Sequence, residues 1–123
     1  LRRLLEGELD IEVIGEAEDG RAAVRLAIEL APDVVVMDIS MPLLDGVEAT
    51  RQIVEYNPST RVVALSGHAD QEAMAEVLRA GASAYLSKAA AYDELARAIR
   101  VAMAEQRYLG ASLGGLALPP VEP

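Results

Sequence analysis

The chain has no cysteine, tryptophan or phenylalanine, and its 123 residues include one histidine. Without cysteine there is no disulfide framework and no thiolate metal site, which leans the reading of location towards the cytoplasm. His68 follows Ser66 in a loop-like stretch with no second His or Cys nearby. It is read as an exposed loop residue, neither a metal ligand nor a general base. The four tyrosines, Tyr56, Tyr85, Tyr92 and Tyr108, are too scattered to form a base-stacking platform. Positive charge is scarce as well. Eleven Lys and Arg against twenty Asp and Glu give a formal net charge of −9, which repels phosphate backbones and argues against nucleic-acid binding by this segment. No apolar stretch approaches membrane-spanning length and no signal-peptide pattern opens the chain.

What is present suits one globular domain: 52% apolar and 25% charged residues over a length sufficient for a real core. Leu1, Leu4 and Leu5 share one helix face, so the chain starts inside a helical pattern, and because Leu1 is not methionine it is expected to be a fragment. An extended segment over 11–17 follows. Asp19-Gly20 opens a helix whose apolar stripe is Val24, Ala27, Ile28 and Ala31, and Pro32 ends it. Val34-Val35-Val36-Met37 is a continuous apolar run that stops at Asp38, the signature of a strand covered on both faces.

The alternation continues. Asp45 and Glu48 have capping-box spacing before a helical stripe, a better account of that pair than acid/base chemistry. Residues 61–66 read as a strand, 70–80 as a helix, 83–87 as a strand and 91–105 as a helix. Four strands interleaved with helices call for right-handed crossovers and a parallel sheet covered on both faces, an α/β three-layer sandwich. Residues 107–123 lose periodicity and carry three glycines and three prolines. They read as a linker or disordered tail after a domain over 1–106.

In a parallel sheet, chemistry gathers at the carboxyl ends of the strands. Asp38, Ser66 and Lys88 close three successive strands and therefore converge on one rim. A carboxylate, a hydroxyl and an ammonium suit a phosphoryl group: Asp38 as nucleophile, Ser66 as donor to an equatorial oxygen and Lys88 as a mobile cation. Taken singly, each has a plainer reading, as a capping carboxylate, a loop hydroxyl and a solvated surface charge.

Met37-Asp38-Ile39-Ser40-Met41-Pro42 with Asp45-Gly46, then Ala64-Leu65-Ser66, then the run from Gly81 to Lys88 with Tyr85 inside it, resembles the receiver domain of bacterial two-component response regulators. The resemblance covers nearly the whole chain in the right order. It implies the flavodoxin-like fold with strand order 2-1-3-4-5, an order for which a protein of this type is itself a standard example. It implies Asp38 as the phosphoacceptor, Ser66 and Lys88 as its partners, Mg²⁺ held by Asp38 and the Ser40 backbone carbonyl, and Ser66 with Tyr85 as a switch pair. It also implies a sensor histidine kinase as donor, a role in transcription control, and dimerisation through the last helices and strand. Arg107-Tyr108-Leu109 is similar to the linker of NarL-type regulators.

Two departures shape the expectation. Receivers begin with a central strand that ends in two adjacent acidic metal ligands. This chain starts later, so that first strand is expected to be missing, leaving the inner edges at 11–17 and at Val34 unpaired. Glu18-Asp19 does not replace the pair by position. A degenerate receiver used only for protein association is the alternative reading. An aspartyl-phosphate phosphatase of the haloacid dehalogenase kind would need a second Asp where Ser40 stands.

Overall fold

The computed structural model describes residues 5–39, 46–67, 71–104 and 108–109. Along them run α1 (Gly20–Leu30), β1 (Val34–Asp38), α2 (Gly46–Tyr56), β2 (Arg61–Ser66), α3 (Gln71–Arg79), β3 (Ala84–Ser87), α4 (Lys88–Met103) and β4 (Tyr108–Leu109). Local chemistry sets the boundaries. Asp19 caps α1 by accepting from the Ala22 backbone N–H at 2.8 Å, satisfying a donor that the first helical turn cannot. At the other end Ala31 turns left-handed, φ +47°, and donates its N–H to the Ala27 carbonyl. Pro32 follows and cannot continue the helix.

All strand pairs are parallel and the sheet order is β1-β2-β3-β4. β2 lies inside, and its residues Val62, Val63, Ala64 and Leu65 are wholly buried. The two-residue period of a strand sends them to opposite faces. Val62 and Ala64 pack with Tyr85 of β3 and with α1, α2 and α3. Val63 and Leu65 pack with Ala84, Leu86, Leu5 and α4. The result is the expected three-layer α/β sandwich. Among the described residues no helix is long and apolar enough to cross a membrane.

The structure corrects the sequence reading in several places. Residues 11–17 form no strand. They keep a strand-like alternation, with Ile11, Val13 and Ala17 half-buried and Glu12, Ile14 and Glu16 exposed. A ladder, however, needs a neighbouring backbone about 4.8 Å away, and a cavity of about 660 Å³ separates this segment from β1. β1 is accordingly the edge of the sheet, in line with the unpaired edges expected there. The final helix begins at Lys88, three residues before the apolar periodicity predicts. Within the stretch read as linker or tail, Tyr108 and Leu109 pair with Ala84 and Tyr85 as β4. The Asp45 half of the capping box lies outside the described residues. Glu48 sits on the α2 surface, ion-paired with Arg51 and accepting from Gln52.

Candidate functional site

The parallel register builds one rim from three strand ends. Asp38 stands opposite Leu65, and the next backbone group, the Ile39 N–H, donates to the Leu65 carbonyl at 2.9 Å. One step further along β2, Ser66 stands opposite Ser87 of β3. Lys88 follows Ser87 directly. The side chains at this rim therefore descend from three separate strands locked together by the sheet.

Lys88 Nζ lies 2.8 Å from Asp38 Oδ2. The lysine stem crosses over β2 to reach β1, so this contact joins residues 50 positions apart in sequence. The lysine side chain is 50% exposed and that of Asp38 25% exposed. In so wet a setting the ion pair contributes only about 0–1 kcal/mol to stability. Its consequence is chemical. Asp38 remains open enough for a reagent to reach, and a mobile point cation sits where negative charge would accumulate on it.

Ser66 is buried at the end of β2, one residue past the register partner of Asp38. Tyr85 is wholly buried, in the core cluster that also holds Met74, Val77 and Leu78 of α3. Ser40, Met41, Pro42 and His68 lie outside the described residues. The structure thus joins Lys88 to Asp38 and places Ser66 at the adjacent strand end, while Tyr85 lies on the neighbouring strand, opposite Ala64.

A metal ion is a harder fit. Among the described residues no three His, Cys, Asp or Glu side chains cluster so as to hold one. Asp38 already has the Lys88 ammonium against one oxygen. The described residues therefore do not form a Mg²⁺ site by themselves.

Two features were not anticipated from the sequence. Ser87 is the N-cap of α4, its Oγ accepting from the Ala90 backbone N–H at 3.1 Å. The signal was a serine at the junction of strand and helix, obscured because no Glu or Gln follows three residues on. The second is a clasp at the opposite end of α4. Arg100 donates to both oxygens of Asp10, at 2.9 and 2.8 Å, and pairs with Glu8. These hydrogen bonds hold the exposed Asp10 carboxyl at about 2, well below its usual 3.8, and push the Arg100 guanidinium up. No local pattern links residues 90 positions apart.

Comparison with known proteins gives a consistent picture. Residues 1–100 match the family described as response regulator receiver domain. The chain is 42% identical over 118 residues to the transcriptional regulatory protein LiaR of Bacillus subtilis, covering 96% of this chain and 56% of that protein. It is 41% identical over 124 residues to the response regulator UvrY of Escherichia coli, covering 100% of this chain and 57% of that protein. It spans little more than half the length of these curated relatives. The crystal structure of a LuxR-family two-component response regulator from Aurantimonas sp. SI85-9A1 superposes with a TM-score of 0.86 at 35% identity, covering 91% of this chain and 80% of that one.

Proposed function

The chain belongs to the response regulator receiver domain family, and from that premise we propose that it takes a phosphoryl group from a sensor histidine kinase onto Asp38. The observation that carries this reading is the 2.8 Å approach of the Lys88 ammonium to the Asp38 carboxylate at the end of β1. In the step proposed, an Asp38 carboxylate oxygen forms a bond to phosphorus as the phosphorus–nitrogen bond of the donor phosphohistidine breaks. The imidazole keeps the bonding pair and is reprotonated from solvent. Lys88 follows the incoming phosphoryl oxygens, offsetting their charge, and Ser66 donates its hydroxyl to one of them. The chain acts here as a signalling phosphoacceptor that assists its own modification, in place of turning over a metabolite.

The family generally uses Mg²⁺ in this step. Because the described residues do not form a site for the ion, the roles assigned to Asp38, Ser66 and Lys88 stand without it. By the family resemblance, Asp38 and the Ser40 backbone carbonyl would be two of its ligands, too few to hold the ion alone.

Downstream, the phosphoryl group adds roughly −1.5 to −2 charges at neutral pH. Drawing Ser66 towards it alters the space beside Tyr85, and the face made by α3, α4 and β3 is the proposed output and dimerisation surface. The named relatives include a transcriptional regulatory protein, which supports transcription control in the cytoplasm as the output.

The test is incubation with acetyl phosphate and Mg²⁺ followed by intact mass measurement. An acid-labile adduct of one phosphoryl group is expected, absent in Asp38→Ala. No adduct on the unaltered chain would leave protein association as its only role.

A further inference from the structure

We propose that Ser87 is a positioning residue for the Asp38 site: by capping α4 it fixes where Lys88 starts, and so whether the ammonium reaches the carboxylate. The inference rests on the function proposed above and assigns a new residue to the same site.

Three observations converge on Ser87. Its backbone is part of the sheet, since Ser87 stands in register with Ser66 at the end of β3. Its side chain belongs to the helix, accepting from the Ala90 N–H at 3.1 Å with the residue itself extended at φ −72°, ψ 156°. It is also buried, so water does not readily replace that bond. Ser87 is therefore the hinge pin between strand and helix, and Lys88 is the first helical residue after it.

The apolar periodicity by itself starts the helix at 91. Residues 89–91 are alanines, with no side-chain group able to satisfy the free N–H donors of a first turn. The Ser87 hydroxyl supplies that acceptor and draws residues 88–90 into the helix. Position matters because β3 and β1 lie on either side of β2, with backbones about 10 Å apart. A lysine stem must bridge that span to place Nζ 2.8 Å from Asp38 Oδ2, and it has little slack to absorb a displaced origin. Loss of the cap frays the turn that carries Lys88 while leaving the lysine itself intact.

The experiment compares Ser87→Ala and Ser87→Thr in the unaltered and Lys88→Ala backgrounds, with two readouts. One is the NMR coupling through the hydrogen bond between Lys88 Nζ and the Asp38 carboxyl carbon. The other is the rate constant of Asp38 phosphorylation at saturating acetyl phosphate with Mg²⁺. For S87A the coupling is expected to be lost and the rate constant to fall about fivefold, the size of a typical lost cap. S87T, which keeps the capping hydroxyl, restores both. In the K88A background S87A changes the rate constant by less than about twofold, because the path through Lys88 is already gone.

An unchanged coupling in S87A, failure of S87T to restore it, or a full S87A effect in the K88A background would overturn the proposal. Should S87A fail to fold, Ser87→Gly, which suits an N-cap backbone without the hydroxyl, takes its place. If the unaltered chain accepts no phosphoryl group, the function proposed above fails, while the coupling still decides whether Ser87 positions Lys88.

Discussion

Gly46, the first residue of α2, packs its Cα directly against Ile39, the residue after β1. A side-chain carbon at Gly46 would overlap Ile39 Cα and come within 2.9 Å of the Asp38 carbonyl oxygen. The obstacle is backbone, which cannot rotate away as a flexible side chain would. Gly46→Ala is therefore expected to cost about 1–3 kcal/mol, the usual range for overpacking, and to displace the end of β1. Urea unfolding of the variant checks the first, and the Asp38 phosphorylation rate checks the second. A variant as stable as the original would show that α2 can slide away from β1 freely.

Lys88→Ala should separate chemistry from stability. Lys88 is half exposed and Asp38 a quarter exposed, so removal of the pair is expected to change unfolding free energy by no more than about 1 kcal/mol. Phosphorylation of Asp38 should slow by about a hundredfold, the size of effect seen when a group stabilising transition-state charge is removed. Lys88→Arg is expected to recover only part of the rate, because a planar fork does not reproduce a compact, mobile ammonium. Single-turnover phosphorylation and chemical denaturation of the same preparations decide both points.

Tyr85→Ala is predicted to behave as a large core truncation. The residue is wholly buried in the cluster shared with Met74, Val77 and Leu78, and aromatic-to-alanine changes in such settings cost about 3–5 kcal/mol. That is a large share of the 5–15 kcal/mol typical of a domain. Thermal or urea denaturation is the measurement, and a loss below about 1 kcal/mol would mean the ring is not a core element.

Acid should release the clasp between α4 and the segment before residue 11. Asp10 is held at about 2 in the folded chain against 3.8 for a free side chain, chiefly by its hydrogen bond to Arg100. Its folded value is lowered, so the stabilisation is present above 3.8 and is lost as pH falls through about 2. Arg100→Gln is expected to lower the urea midpoint near neutral pH, and the gap from the unaltered chain should close between 3.8 and 2. Both groups are exposed, so added salt should narrow the gap as well. In R100Q the Asp10 carboxyl, followed by NMR, should titrate above its value of about 2 in the unaltered chain, towards 3.8.

Much of the architecture is legible without coordinates. The β-branched run before Asp38 reads as a strand, though Val34, Val35 and Val36 are only half-buried at the open edge, and Asp19 and Pro32 bracket α1 by chemistry that acts within four residues. Asp38, Ser66 and Lys88 are each found by asking what stands at a strand's carboxyl end. Residues 11–17 depart from the expected strand for a related reason. Alternation of apolar and charged residues reports burial on one side, and the segment has that burial, yet a strand also requires a backbone neighbour. The cavity beside β1 denies it one.

The start of α4 shows the same limit at finer scale. Periodicity locates where a helix has an apolar face, whereas Ser87 decides where its first hydrogen bonds close. Arg100 and its partners Glu8 and Asp10 sit in unremarkable surface patterns, and only the docking of α4 beside the early segment makes them a clasp.

By itself the sequence determined the kinds of element, their order and the residue types available at the rim, because propensity, capping and apolar period act over a few residues. Tertiary structure decided which strand lay beside which, and with it the 2.8 Å meeting of Lys88 and Asp38. That meeting depends on parallel register carried through β2, a relation between backbones far apart in the chain that no local pattern encodes.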